Sequence, residues 1–134
     1  MAEAKVAVIG TTSWGTTLAV LLSRKGLDVK LWARTHGEAQ RIHQEGQNSA
    51  RLPGVPFPPS LKTTASLDEA LDGAALAILA VPSQRMRENV KAIRNHLSLN
   101  TLIMSAAKGL ELDTGLRMSQ VMAQELPEEH KGNI

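Results

Sequence analysis

Residues 6–22 read VAVIGTTSWGTTLAVLL, and this stretch decides the fold. An apolar run reaches Gly10, a short polar turn follows, and apolar residues then recur at helical spacing from Trp14 onward. Gly10, Thr12 and Gly15 stand at the three positions of the pattern G-x-G-x-x-G. In that pattern the first glycine permits a tight turn from strand to helix, and the third lets the helix pack close against the strand. The middle glycine normally lets the backbone approach a pyrophosphate at the positive helix N-terminus, and here Thr12 brings a β-branched side chain to that point. The turn by itself leaves two readings open: a dinucleotide site with one altered position, or a strand-turn-helix that holds no ligand. If the first is right, either the Thr12 hydroxyl joins the phosphate contacts with its backbone in the β or αR region, or the pyrophosphate shifts outward. The N–H groups of residues 13–16 are expected to be free in both cases.

Working outward, apolar runs alternate with amphipathic segments along the whole chain. Residues 5–9 (KVAVI) read as a strand, and a helix follows from about Trp14 to Lys25, stopped by Gly26. Residues 28–33 form a second strand, and residues 37–46 a helix ended by Gly46. Residues 48–64, NSARLPGVPFPPSLKTT, contain four prolines and read as a loop whose tail LKTT is a short strand. In 66–73, SLDEALDG, Ser66 and Glu69 have the spacing of a capping box. Residues 75–82 (ALAILAVP) are almost wholly apolar, as in a strand buried on both faces. A helix over about 84–97, a strand over 100–107 and a helix over 113–126 complete the pattern. Five alternations of strand and helix predict an α/β fold: a Rossmann-like, doubly wound parallel sheet in a single domain spanning 1–134. The polar tail PEEHKGNI reads as a linker toward a further strand, so the chain reads as part of something longer.

Composition narrows the function classes. With 134 residues, 43% of them apolar, the chain can build one substantial core but not two. Trp14, Trp32 and Phe57 are its only aromatic residues, so the core must come from Ala, Val, Leu and Ile. There is no cysteine, which excludes disulfides and thiolate metal sites and suits a reducing cytoplasm. His36, His43, His96 and His130 lack metal-ligand spacing and read as surface or loop residues, so no metal is predicted. A formal charge of +2 is too weak to imply a nucleic-acid partner. The basic positions Arg87, Lys91 and Arg94 share one helical face and read as solvated. The longest apolar run is far short of the roughly 20 residues that span a bilayer, and no signal peptide is evident.

Four blocks decide between the readings of the turn. GTTSWGTTLAVLLSRKGLDVKLWAR, NSARLPGVPFPPSLKTTASLDEAL, ILAVPSQRMR and SAAKGLELDTGLRMSQV resemble, in family order, the amino-terminal part of bacterial NAD(P)-dependent glycerol-3-phosphate dehydrogenases. The blocks cover essentially the whole chain and are far more specific than the glycine turn. The resemblance therefore favours a dinucleotide site. It implies that Ser13 and Trp14 line the cofactor diphosphate, although Trp14 also reads as a packing residue.

Arg34 follows the second strand, where an NAD site usually has a carboxylate for the ribose 2′-hydroxyl. A guanidinium there can pair with a 2′-phosphate, so NADP is favoured over NAD. The alternative is a merely exposed arginine. Arg51 departs from the family, which usually carries tyrosine before Leu-Pro-Gly, and it reads either as a second cation near the phosphate or as a solvated side chain. Val81, Pro82 and Ser83 end the fourth strand and are expected to wall the nicotinamide side, with core packing the other reading of Val81. Lys108 follows a buried strand at the carboxyl edge of the sheet, where ligands bind in such folds. The resemblance makes Lys108 a contact to both cofactor and glycerol phosphate, and Gly109 is expected to keep the next turn open.

The resemblance further implies reduction of dihydroxyacetone phosphate to sn-glycerol 3-phosphate for phospholipid synthesis, a cytoplasmic location and a homodimer. It also implies a helical substrate domain beyond this chain, carrying the acid-base lysine. No catalytic residue is expected within 1–134, and the chain alone is expected to turn over negligibly. Two rivals stay open at this point. One is the amino-terminal domain of a 6-phosphogluconate or UDP-sugar dehydrogenase, and the other a free-standing nucleotide-binding sensor.

Overall fold

A computed structural model describes residues 3–134. Its strands are β1 (Lys5–Ile9), β2 (Asp28–Trp32), β3 (Lys62–Thr64), β4 (Leu76–Leu79) and β5 (Leu102–Ser105). The helices are α1 (Ser13–Arg24), α2 (His36–Glu45), α3 (Leu67–Leu71), α4 (Met86–Ile93) and α5 (Met118–Glu125), with 3-10 turns at Ser83–Arg85 and Glu128–Asn133. The sheet is parallel throughout, in the order β3-β2-β1-β4-β5.

Strand alternation divides the core into two layers. On one face, Val6 and Val8 of β1, Val29 and Leu31 of β2 and Ile78 of β4 pack against Ala19 and Val20 of α1. On the other, Ala7 and Ile9, Ala77 and Leu79, and Ile103 meet Val90 and Ile93 of α4 and Val121 and Met122 of α5. Buried on both faces, β1 and β4 contain no polar residue after Lys5, which is why their sequences are unbroken apolar runs. From β1 the chain leaves to one face and from β4 to the other. Their carboxyl ends therefore open a crevice, the switch point at which ligands bind in doubly wound folds.

Both glycine stops work as read. Gly46, at φ 66°, caps α2, and Gly26, at φ 93°, follows Lys25, the C-cap of α1. Four local readings need correction. The fourth helix begins with a 3-10 turn and ends at Ile93, where the His96 amide takes the Ile93 carbonyl and its ring Nδ1 sits 2.6 Å from Asp68 Oδ1. The fifth helix starts only at Met118. Gly115 at φ 69° and a bridge between Leu110 and Arg117 fold residues 110–117 into a turn. The capping box at α3 is half formed: Ser66 Oγ accepts from the Glu69 N–H, but the Glu69 carboxylate accepts from Thr64 Oγ1 instead of returning to Ser66. The polar tail is not an open linker. It forms the 3-10 turn Glu128–Asn133, buries His130, and ties Asn133 Nδ2 to the Leu99 carbonyl at 2.8 Å. His130 is thus no surface residue.

Candidate dinucleotide cleft

The turn after β1 shows which glycines the backbone needs. Gly10 has φ 117°, and a Cβ there would lie 2.5 Å from the Ala80 carbonyl oxygen. A Cβ on Gly15 would stand 2.4 Å from the Gly10 carbonyl oxygen. Both positions exclude any side chain unless backbone moves. Thr12 has φ −63° and ψ 166°, an ordinary extended conformation, so the middle position admits an L-residue without strain. Its hydroxyl donates to the Ala80 carbonyl at 2.9 Å and accepts the Gly15 N–H at 3.0 Å. Thr12 is the N-cap of α1 and a tie from that helix to β4. The backbone lies in the β region as expected, but the hydroxyl proton goes to the Ala80 carbonyl and is not left free for a phosphate. The cap also narrows the free donors. Gly15 and Thr16 N–H groups bond within the cap, while those of Ser13 and Trp14 make no hydrogen bond among the described residues.

Across this helix end lies the long loop after α2. Ser13 Oγ donates to the Arg51 carbonyl at 2.7 Å. Asn48, almost wholly buried, donates from Nδ2 to the Thr11 carbonyl and to Thr16 Oγ1. Its Oδ1 has no partner among the described residues. Nothing local to the sequence NSARLPG shows that the Asn48 amide reaches back to the start of α1.

Two hollows meet at Thr12, Val81 and Pro82. The first, about 490 Å³, brings together Arg34, Arg41, Arg51 and Arg85 with Glu38 and Glu88 as its only acidic residues. Arg34 is two-thirds exposed and lies 3.8 Å from Glu88, which Arg85 binds at 2.8 Å. The Arg85 guanidinium, helped less by Arg34, holds the Glu88 carboxyl below its usual range. Glu38, in the first turn of α2, accepts from the Thr11 hydroxyl, so a carboxylate does face this hollow after all. Position 38 falls within the helix expected over residues 37–46, and no local pattern shows that its side chain points back to the glycine turn.

The second hollow, about 470 Å³, is lined by Trp14, Val81, Pro82, Ser83 and Lys108. Trp14 is half exposed here and is no core residue, whereas Val81 is buried and serves the core as well as the wall. Lys108 is exposed and its ammonium makes no hydrogen bond or ion pair among the described residues. Of the basic face of α4, Lys91 is exposed as read, but Arg87 and Arg94 are engaged by carboxylates. Arg87 binds Glu111 through two hydrogen bonds, at 2.9 and 2.8 Å, and Glu125 at 2.6 Å. Arg94 lies 3.6 Å from Glu125. The Arg87 bonds, with one from Thr114, bring the Glu111 carboxyl down to about 2. Among the described residues no group of three or more acidic or histidine side chains could hold a metal ion, and no helix is long and apolar enough to cross a membrane.

A parallel sheet in this order, with a glycine turn at the switch point and a cleft over the first helix end, defines a Rossmann-type domain. The family model described as NAD-dependent glycerol-3-phosphate dehydrogenase N-terminus matches residues 5–134, and the chain belongs to that family. The glycerol-3-phosphate dehydrogenase [NAD(P)+] of Dehalococcoides mccartyi is 47% identical over 131 residues, 97% of this chain and 36% of the relative. The enzyme of the same name from Chlorobium limicola is 48% identical over 122 residues, 91% of this chain and 37% of its own. The crystal structure of glycerol-3-phosphate dehydrogenase from Coxiella burnetii superposes with a TM-score of 0.86 at 33% identity, covering 92% of this chain and 38% of that one. The chain thus spans little more than a third of the length of these relatives.

Proposed function

We propose that this chain is the cofactor-binding domain of an NAD(P)H-dependent glycerol-3-phosphate dehydrogenase, which interconverts dihydroxyacetone phosphate and sn-glycerol 3-phosphate. The observation that carries the reading is the pair of hollows joined over the N-terminus of α1, one rich in arginine and the other ending at Lys108. An elongated ligand with a central diphosphate fits that outline. The Ser13 and Trp14 N–H groups and the helix dipole face its middle. Gly10 and Gly15 keep the turn closed beneath it, and Thr12 anchors the helix end that presents those donors. Arg34 and Arg51 serve the ribose end, where four arginines against two glutamates favour the 2′-phosphate of NADP. Val81 and Pro82 wall the other end.

When bound, the reduced nicotinamide supplies the hydride that the carbonyl carbon of dihydroxyacetone phosphate accepts. Lys108, at the mouth of that hollow, contributes a cation for the substrate phosphate and the developing oxyanion. The acid-base lysine belongs to the helical domain outside residues 1–134, so this domain binds without turning over. Supply of a phospholipid precursor, a cytoplasmic location and a homodimer complete the proposal. Amide NMR mapping with NADPH tests it: Ser13, Trp14 and residues 106–108 are expected to shift together and saturably. Shifts confined elsewhere, or none, would overturn it.

A further inference from the structure

Gln84 has no part in the reading above, yet its side chain holds the segment that follows Lys108. Its Nε2 donates to the Leu110 carbonyl at 2.9 Å, and its Oε1 accepts the Leu112 N–H at 3.0 Å. Toward residues 110–112 the side-chain amide thereby gives one hydrogen bond and takes one, as a neighbouring strand would, and Nε2 also donates to Ser83 Oγ at 3.2 Å. Between those two residues, Glu111 is gripped from beneath by Arg87, one turn further along the same helical segment. Apolar packing does little of this holding, because the Leu110 and Leu112 side chains are 54% and 83% exposed. The polar clamp therefore ties residues 110–112 to the start of α4, while the Leu110–Arg117 bridge and the Glu111 N–H to the Leu116 carbonyl, at 2.9 Å, close the turn on its other side.

Lys108 needs such a clamp, since among the described residues no neighbour binds its ammonium and its position is set by its backbone. Gly109, at φ 113°, is the single joint between Lys108 and the clamped segment. A Cβ at that joint would stand 3.4 Å from Ser83 Oγ, so the joint rests directly against the residue preceding Gln84. We propose that Gln84 is a positioning residue whose side-chain amide fixes residues 110–112 and so holds Lys108 over the mouth of the cleft. This rests on the reading of Lys108 as a contact to the cofactor, and its test separates the two.

The test is a double-mutant cycle on this chain, read by NADPH affinity and by hydrogen exchange at the Leu112 amide. Gln84→Leu is expected to weaken NADPH binding about fivefold, the scale of one lost hydrogen bond, and to abolish protection at Leu112. Gln84→Glu keeps an acceptor for the Leu112 N–H, so protection there survives and binding falls less. If Gln84→Leu does not fold, Gln84→Glu carries the same cycle. On a Lys108→Ala background the Gln84 substitution is expected to add nothing. An equal further loss on that background would overturn the proposal, as would unchanged affinity in the Gln84 variants while Lys108→Ala weakens binding. Unchanged affinity in Lys108→Ala itself would overturn it at its base, by removing the role of Lys108.

Discussion

The Thr12 hydroxyl donates to the Ala80 carbonyl at 2.9 Å while accepting the Gly15 N–H at 3.0 Å, so one side chain fastens the start of α1 to the end of β4. Those two elements border the crevice on opposite sides. The residue standing where a glycine is usual therefore supports the site, and the altered motif is intact in function as a turn.

Replacing Thr12 by Val keeps its shape and removes both bonds. We expect a loss of about 1–2 kcal/mol in stability, the usual cost of an N-cap, measured by urea denaturation. Thr12→Gly should restore the familiar motif without restoring stability, because glycine supplies neither bond.

Gly15→Ala should be worse than its small size suggests. Its Cβ would lie 2.4 Å from the Gly10 carbonyl oxygen, and that contact is with backbone. Relief requires α1 to move off the sheet, at an expected cost of about 1–3 kcal/mol or more. A thermal midpoint within error of the parent would contradict this packing.

Arg34 and Glu38 face one hollow with opposite charge, which makes a paired prediction. Arg34→Ala should weaken NADPH by about tenfold and NADH little, consistent with loss of a charge-assisted bond to a 2′-phosphate. Glu38→Gln should shift preference the other way, toward NADPH, by removing a like charge. Competition titrations at fixed salt measure both.

The Glu111 carboxyl, lowered from 4.5 to about 2 by Arg87 and Thr114, links stability to pH. A depressed folded-state value means the stabilisation is complete above the unfolded value and is lost as pH falls from about 4.5 toward 2. Urea midpoints should therefore fall across that window, and Glu111→Gln should flatten this part of the profile. An unchanged slope in the variant would place the acid sensitivity elsewhere.

Much of the architecture was legible because it depends on period and punctuation. Unbroken apolar runs marked β1 and β4 as strands covered on both faces, and glycines 26 and 46 marked helix ends. The turn residues were legible for the same reason, being defined by spacing along the chain. What escaped were contacts made across it. Asn48 reaches Thr11 and Thr16, Glu38 reaches Thr11, and Arg87 reaches Glu111 and Glu125, at separations that no local pattern encodes. Arg87 and Arg94 of the α4 basic face were misread as solvated for that reason, since they pair with Glu111 and Glu125, whereas Lys91 is exposed as expected. His130 was misread because a six-residue 3-10 turn offers no periodicity to find, yet it folds the tail back onto the body.

Calorimetric titration of this chain with NADPH and with NADH, at matched salt, tests whether the cleft over α1 binds a dinucleotide. One saturable site per chain is expected for each, tighter for NADPH, with binding lost when salt screens the arginines. Heat of dilution alone for both cofactors would contradict it, leaving the cleft over α1 without the ligand its form implies.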